Sequence, residues 1–287
     1  MERGVIVKGI GGRYDVQTES GLVLCMLRGR LRLRDDRVLV GDKVEISREQ
    51  GGDAGVVERI LPRTNELTRP AIANVDQVAV VFSVQNPSPN YLLLDRILVQ
   101  AELLDLSCVV VFTKGDLDPA GALKVANEYA VLSYPTVITS VIKNEGLQQL
   151  RELLKGKIST LAGPSGAGKS SLLNALDPGL NLETGKVSAK AQRGRHTTRS
   201  VELLPLADGY VADTPGFSKL SMDPDQERDL QFAFPEFRPH IDACQFRGCL
   251  HRREPGCKVK EAVQTGEILS RRYEHYLILL EEAAPRY

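Results

Sequence analysis

The chain lacks the features that mark several special classes of protein. It has no net charge, since 37 Lys and Arg side chains balance 37 Asp and Glu side chains, so only local patches could indicate a polyanionic partner. No apolar run approaches the roughly 18 residues of a membrane-spanning helix, and we expect no membrane partner. The first residues, MERG, do not begin a basic segment followed by an apolar one, and we expect no secretory signal.

Cysteine is scarce as well. The chain has five in 287 residues, an odd number that does not indicate a disulfide framework in a protein of this size. Cys25 and Cys108 stand in strand-like apolar settings and are expected to be buried as small hydrophobic residues. These absences favour a cytoplasmic globular protein, and the length allows two or three domains.

Five short apolar segments, separated by Gly and Asp turns, occupy residues 1–66 without a helical pattern. Such a series predicts a small closed β-barrel of the OB-fold type. The predicted strands are residues 5–8, 13–17, 22–27, 43–46 and 54–60.

An arginine row follows the third of these strands. Residues 28–34 read RGRLRLR, so that one glycine and two leucines separate the four arginines Arg28, Arg30, Arg32 and Arg34. Read as a further strand, the row places all four arginines on one face. A solvated face of the barrel would explain this pattern, but arginines on an OB-like barrel favour contact with a nucleic-acid backbone. We therefore predict an RNA-binding surface.

Residues 67–220 show a different pattern, which begins after a proline-flanked linker at 61–70. Near-continuous apolar segments, as in a parallel sheet covered on both faces, alternate with helical spacing. We predict strands at 77–83, 108–112, 136–139 and 157–162, helices at 91–104, 123–131 and 147–154, and a strand pair at 202–206 and 209–212. This alternation predicts a doubly wound α/β nucleotide-binding sheet.

A glycine-rich stretch at residues 163–171, GPSGAGKSS, fits the phosphate-loop pattern G-x-x-x-x-G-K-S/T. A predicted strand precedes it and a predicted helix follows it, as that pattern requires. Backbone N–H groups would hold the phosphates, Lys169 would reach the β- and γ-phosphates, and the Ser170 hydroxyl would bind Mg²⁺. The predicted phosphate site is Gly163, Pro164, Ser165, Gly166, Ala167, Gly168, Lys169, Ser170 and Ser171.

A second motif, Thr113-Lys114-Gly115-Asp116, looks like the guanine-recognition pattern N/T-K-x-D. The Asp116 carboxylate could accept hydrogen bonds from guanine N1–H and N2–H₂, which adenine does not offer. The Lys114 stem would pack along the base, and Ser140, after a further strand, would contact guanine O6. Together these residues predict GTP as the nucleotide.

A third motif, D-x-x-G, runs from Asp213 to Gly216 at the end of a predicted strand. In a GTPase the aspartate holds Mg²⁺ through water and the glycine N–H contacts the γ-phosphate. The guanine motif follows D-x-x-G in ordinary GTPases, whereas here it precedes the phosphate loop. This order predicts a circularly permuted GTPase, whose nucleotide-sensing turn leads directly into the C-terminal region.

Residues 221–287 hold three cysteines and a histidine within fourteen residues, with the spacing C-x₄-C-x-H-x₅-C. Cys244, Cys249, His251 and Cys257 form a complete tetrahedral ligand set, which predicts one structural zinc ion. Basic residues surround them, and the cluster could lie on RNA. A single helix is expected at residues 262–282.

Three features together cover essentially the whole chain. They are the predicted barrel, the motif order T-K-x-D, GPSGAGKSS, GRHTT and DTPG, and the spacing of the zinc ligands. In this combination the sequence resembles the ribosome small-subunit-dependent GTPase family, RsgA. The resemblance implies a cytoplasmic GTPase that acts late in maturation of the 30S subunit and is stimulated by that subunit. Its barrel and zinc module would grip 16S rRNA, and we expect it to be a monomer.

The resemblance also implies a catalytic histidine. Ras-like enzymes carry a glutamine directly after D-x-x-G to orient the attacking water, but Phe217 stands at that place here. The family points instead to His196, and Thr198, or else Thr197, would bind Mg²⁺ beside Ser170 and Asp213. A solvated loop residue or an RNA contact would be the alternative role of His196.

Three other functions stay open at this stage. The first is a GTPase switch with a non-ribosomal target, in which the arginine row and the zinc module serve as scaffold. The second is a P-loop kinase or ATPase, which would make both the guanine motif and the zinc ligands coincidental. The third is a nucleic-acid-binding module without catalysis, against which Lys169 and Ser170 argue.

Overall fold

The computed structural model describes residues 1–29, 31, 37–48, 54–68, 70–183, 201–213 and 227–284, with residue 213 described by its backbone alone. The N-terminal part is a closed five-stranded barrel, which confirms that prediction. Its strands are β1 (Glu2–Ile10), β2 (Arg13–Thr18), β3 (Gly21–Leu27), β4 (Lys43–Arg48) and β5 (Ala54–Ile60). They follow the order β1-β2-β3-β5-β4, and the antiparallel pairing of β1 with β4 closes the barrel.

The strand predicted over the arginine row is wrong where the structure describes it. Strand β3 ends at Leu27, Gly29 and Leu31 are helical, and the Leu31 N–H donates to the Arg28 carbonyl at 2.9 Å. Leu31 is 9% exposed and packs in the barrel core. Leucine and arginine favour helices over strands, and the barrel closes without a sixth strand. Arg30, Arg32 and Arg34 lie outside the described residues.

Two short strands, β6 (Glu66–Thr68) and β7 (Ala71–Ala73), form a separate antiparallel sheet, so the predicted linker at 61–70 is wrong in its second half. Leu67 and Ile72 are buried in the same core as the central sheet, which explains why the segment is ordered. Arg63 also anchors it, because its Nε donates to the buried Asp42 carboxylate at 2.7 Å.

The central sheet has six strands in the order β10-β9-β8-β11-β13-β12, and only the pair β12–β13 is antiparallel. Its strands are β8 (Gln77–Ser83), β9 (Ser107–Thr113), β10 (Thr136–Ile138), β11 (Ile158–Ala162), β12 (Leu203–Leu206) and β13 (Gly209–Asp213). The helices are α1 (Tyr91–Leu103), α2 (Pro119–Ala130), α3 (Leu147–Leu154) and α4 (Lys169–Leu176). Separate apolar clusters cover the two faces, which confirms the doubly wound sheet.

The C-terminal part is mostly helical. Two 3₁₀ turns, Leu230–Ala233 and Pro235–Phe237, precede helices α5 (Arg238–Ile241), α6 (Lys258–Thr265) and α7 (Ser270–Ala283). The single helix predicted at 262–282 is therefore two helices. Gly266 ends α6 in the left-handed conformation, with a φ of 83°, where glycine carries no steric penalty. None of the helices in the described ranges is long and apolar enough to span a bilayer.

Candidate functional site

The phosphate loop joins β11 to α4, as the sequence pattern requires. Its three glycines have positive φ angles of 143° at Gly163, 79° at Gly166 and 87° at Gly168. A Cβ atom at Gly163 would lie 2.0 Å from the carbonyl oxygen of Val81 on the neighbouring strand β8. Only glycine fits there, and the loop turns back over the sheet edge as a result.

Lys169 begins α4 and folds back over the loop. Its Nζ donates to the carbonyl oxygens of Gly163 and Pro164, at 2.9 Å each. The N-cap of this helix is Gly168, which has no side chain to cap the first N–H groups. The first turn of α4 therefore presents backbone donors and the positive end of its dipole, beside an ammonium group, to the region above the loop. These features fit the phosphates of a nucleotide.

The guanine motif lies directly against the phosphate loop, although the two are about fifty residues apart in sequence. The Thr113 hydroxyl at the end of β9 donates to the Ala167 carbonyl at 2.6 Å. The Lys114 ammonium donates to the Gly166 carbonyl at 2.9 Å. These two bonds fix the position of the motif relative to the loop, so that a base and its phosphates could be bound together.

Ser140 lies at the same edge of the sheet, just beyond β10. Its hydroxyl donates to the Asp116 carboxylate at 2.5 Å and also accepts from the Lys143 N–H at 3.1 Å. In this structure Ser140 therefore orients the carboxylate that is predicted to read the base.

A loop that follows β8 also lies at the site, although no sequence motif indicated it. The Asn86 carbonyl accepts a second hydrogen bond from Lys114, and Pro87 faces Gly166. The Ser83 hydroxyl donates to the Pro87 carbonyl at 2.8 Å and ties the loop to the end of its strand. An Asn-Pro pair separated by two residues from the end of a buried strand is a turn signal, which could have placed this loop at the sheet edge.

The backbone of Asp213 lies beside the same edge, since strand β13 pairs in parallel with β11 and sets Asp213 opposite Leu161. The D-x-x-G motif thus begins next to the start of the phosphate loop. Its Gly216, the predicted catalytic His196 and the predicted magnesium ligand Thr198 lie outside the described residues.

The four predicted zinc ligands come together in the C-terminal part, with all their donor atoms within 4.8 Å of one another. The Cys244 sulfur lies 4.0 Å from the Cys257 sulfur, and His251 Nδ1 lies 3.6 Å and 3.3 Å from these two sulfurs. Zinc–sulfur bonds of about 2.3 Å and zinc–nitrogen bonds of about 2.0 Å give tetrahedron edges close to these values. The donor set and its spacing therefore fit a structural zinc ion.

The surroundings of the cluster suit a bound cation. Burial raises the pKa of the Cys249 thiol to about 12, and a zinc ion would offset this by stabilising the thiolate. Burial also opposes ionisation of Glu254, but backbone N–H groups lower the pKa of its carboxyl. The backbone N–H groups of Leu250, Arg252 and Arg253 donate to the Glu254 carboxylate at 2.7–2.9 Å and shape the loop that carries the predicted ligands.

The central sheet is parallel except for one strand pair, and its phosphate loop follows the guanine motif in sequence. Together with the barrel and the cluster of zinc-type ligands, this arrangement defines a circularly permuted P-loop GTPase. A family model described as "RsgA GTPase" matches residues 60–223, and one described as "RsgA N-terminal domain" matches residues 3–57. The chain therefore belongs to the RsgA GTPase family.

Known proteins support this assignment over the full length. The "Small ribosomal subunit biogenesis GTPase RsgA" of Moorella thermoacetica is 46% identical over 284 residues, covering 99% of this chain and 98% of the relative. The protein of the same name from Shouchella clausii is 47% identical, with 98% and 97% covered. The crystal structure of YjeQ from Thermotoga maritima matches with a TM-score of 0.84 at 40% identity, covering 100% and 99%. YloQ, described as a circularly permuted GTPase, matches with a TM-score of 0.83 at 38% identity, covering 100% and 97%.

Proposed function

We propose that this GTPase acts as a late maturation factor of the 30S ribosomal subunit, binds 16S rRNA and hydrolyses GTP when the subunit stimulates it. The observation that supports the proposal is the pair of hydrogen bonds from Thr113 and Lys114 to the phosphate loop, which hold the predicted guanine motif beside the predicted phosphate site. The names of relatives that cover nearly the whole chain supply the ribosomal part.

In the proposed site the phosphate loop holds the GTP phosphates, and Lys169 neutralises the β- and γ-phosphates. Asp116, oriented by Ser140, accepts from guanine, and Gly216 contacts the γ-phosphate. Ser170, Thr198 and Asp213 would hold Mg²⁺, which supplies charge neutralisation at the phosphates. All three side chains offer oxygen donors, which this ion prefers.

His196 is proposed to orient the water that attacks the γ-phosphate. The residue after D-x-x-G is Phe217, whose side chain forms no hydrogen bond, so intrinsic hydrolysis should be slow. A neutral imidazole can accept a proton or a hydrogen bond near pH 7. The 30S subunit would place His196 productively and thereby stimulate turnover.

RNA contact is proposed at both ends of the chain. In the barrel it would involve Arg28, Arg30, Arg32 and Arg34. The Arg28 side chain is 55% exposed and pairs with Glu58 on β5, so RNA would compete for it with that carboxylate. On the zinc cluster, Arg247, Arg252 and Arg253 are exposed around the ligands. We propose domains at 1–66, 67–220 and 221–287, and a cytoplasmic monomer.

The central test is the GTPase rate of the full chain with and without purified 30S subunits, at fixed magnesium and salt. The proposal expects slow hydrolysis by the protein alone and a large increase with 30S subunits. Purified 50S subunits are the control for non-specific stimulation by rRNA. Equal rates under all three conditions would reject the ribosomal target while leaving the GTP site intact.

Asp116→Asn should change the base that the protein selects. An amide donates where the carboxylate accepted, so it suits the oxygen at position 2 of xanthine and leaves guanine N2–H₂ without an acceptor. We expect GTP affinity to fall by at least about 100-fold and the xanthine nucleotide to become the preferred ligand. Competition against a fluorescent guanine nucleotide measures both effects.

The matched control for this substitution is Asp118→Asn. Asp118 is the N-cap of α2, only two residues away, and caps the Gly121 N–H rather than facing the Ser140 hydroxyl. The Asp118→Asn variant should therefore keep the preference for GTP. A preference for GTP in Asp116→Asn as well would refute the guanine assignment.

His196→Ala should preserve GTP affinity and remove most of the turnover that 30S subunits stimulate. Loss of a group that orients or deprotonates water costs about 10²–10⁴-fold in rate. Single-turnover hydrolysis with saturating 30S subunits measures the loss. His240→Ala, which removes an imidazole from the C-terminal module, should retain stimulation. Unchanged stimulated turnover in His196→Ala would exclude the proposed role.

A further inference from the structure

The two nitrogens of the His251 imidazole face different partners. Nδ1 faces the cysteine sulfurs, whereas Nε2 lies 2.9 Å from Oε1 of Gln231. Both residues are buried, His251 at 0% and Gln231 at 5% exposure. Gln231 lies on the 3₁₀ turn Leu230–Ala233, twenty residues before the histidine, and is not one of the predicted zinc ligands.

The orientation of the Gln231 amide follows from its second contact. Its Nε2 donates to the Arg228 carbonyl at 2.9 Å, so its oxygen is the atom that faces His251. An amide oxygen only accepts hydrogen bonds, and the imidazole nitrogen beside it must therefore carry the proton. Nδ1 then keeps its lone pair for a metal ion.

We propose that Gln231 is the positioning residue of the zinc site and makes His251 a ligand through Nδ1. A metal-binding histidine usually donates its other N–H to a nearby acceptor, which fixes the tautomer and the ring and raises metal affinity. Other contacts restrict the same residue. The Phe237 ring meets the imidazole edge-on at 6.0 Å, and the Tyr273 hydroxyl donates to the His251 carbonyl at 2.6 Å.

The position of Gln231 ties the metal site to the GTPase part of the chain. Its neighbour Leu230 is fully buried in the same apolar cluster as Val99 of helix α1 and the ligands Cys249 and Cys257. The turn that orients the zinc ligand is thus packed on the central domain. This inference goes beyond the proposed function, because it concerns how the zinc ion is held and stands whether or not the ribosome is the target.

The test is metal affinity of the full chain, measured by competition of Zn²⁺ with a chromophoric chelator and by Co²⁺ absorption. Gln231→Leu has a similar size but no acceptor, and should bind Zn²⁺ about 10–100-fold more weakly. Gln231→Glu keeps an acceptor for the His251 N–H but loses the donor to the Arg228 carbonyl, and it should bind Zn²⁺ more tightly than Gln231→Leu. Phe232→Leu, on the same turn and 50% exposed, is the control for disturbance of the turn.

Zinc affinity of Gln231→Leu within twofold of the parent would overturn the proposal, as would equal losses in the Leu and Glu variants. A measurement on the unaltered, zinc-loaded protein covers the case in which a variant does not fold. Long-range ¹H–¹⁵N correlation spectra of the histidines should show His251 with a protonated Nε2 and a metal-bound Nδ1. The reverse pattern would contradict the assignment directly.

Discussion

Lys169→Ala is expected to reduce kcat/KM for GTP by at least about 10²–10³-fold, the cost of removing one preorganised group that stabilises the charge of the transition state. In the structure the Lys169 ammonium is held over the loop by hydrogen bonds to the Gly163 and Pro164 carbonyls. The substitution removes these two bonds, but the loop should keep its shape, because the glycine φ angles and the bonds from Thr113 and Lys114 remain. Equilibrium binding and single-turnover hydrolysis measure the loss.

The matched control is Lys124→Ala, which removes an exposed lysine from helix α2 of the same domain. It should keep full activity. Thermal unfolding of both variants without nucleotide should resemble that of the parent, whereas added GTP should stabilise only the parent and the control. Equal stabilisation of Lys169→Ala by GTP would contradict the role assigned to this lysine.

Asp95→Ala should lower the free energy of unfolding by about 3–5 kcal/mol, because it leaves a buried guanidinium without one of its carboxylates. Arg272 on α7 is fully buried and donates to Asp95 on α1 at 2.7 Å and to Glu236 at 2.6 Å. The Tyr129 hydroxyl donates to Asp95 as well, at 2.8 Å. Urea unfolding followed by circular dichroism measures the change.

A more exposed ion pair between the same two helices provides the control. Arg96 on α1 pairs with Glu282 on α7, and their side chains are 18% and 38% exposed. Arg96→Ala should cost about 1 kcal/mol or less, since water screens such pairs. Equal losses in the two variants would show that burial of the Asp95–Arg272 pair has no special energetic weight.

The pH dependence of the same variant gives a separate check. Burial opposes ionisation of Asp95, but Arg272 and His275 outweigh it and hold the pKa of the carboxyl below its usual value. A carboxyl with a depressed pKa stabilises the fold above its unfolded pKa of about 3.9, and this stability is lost as pH falls through the folded pKa. Asp95→Ala should lack this loss of stability below about pH 4.

Patterns formed by residues that are close together in sequence could be predicted before the fold was known. The apolar strands, the glycine-rich loop and the C-x₄-C-x-H-x₅-C spacing are local, and the barrel, the sheet and the ligand cluster all formed as expected. The arginine row shows where this reading fails. The alternation of arginines with glycine and leucine over seven residues fitted a strand. In the structure, however, Leu31 lies on a helical turn and packs in the barrel core.

Contacts between distant residues could not be predicted in the same way. The contact of Ser140 with guanine O6 stays a prediction, but its hydrogen bond to Asp116 and the presence of Asn86 at the site were not expected. Gln231 has no motif around it and becomes meaningful only because its amide meets the second nitrogen of His251. Such roles depend on which strand ends and turns lie next to one another in the folded protein. Tertiary packing sets that arrangement.

The amino-acid sequence was enough to establish the class of protein, because phosphate, base and metal sites need particular residue types at short spacings that leave a recognisable pattern. The order of these motifs along the chain also revealed the permutation. The contacts that hold the motifs together, in contrast, are visible in the folded chain alone. The phosphate loop is joined to the guanine motif by side chain–backbone hydrogen bonds, and α1 is joined to α7 by charges 177 residues apart. Chain segments so far apart are brought together by burial of apolar surface over the whole molecule, which no local pattern records.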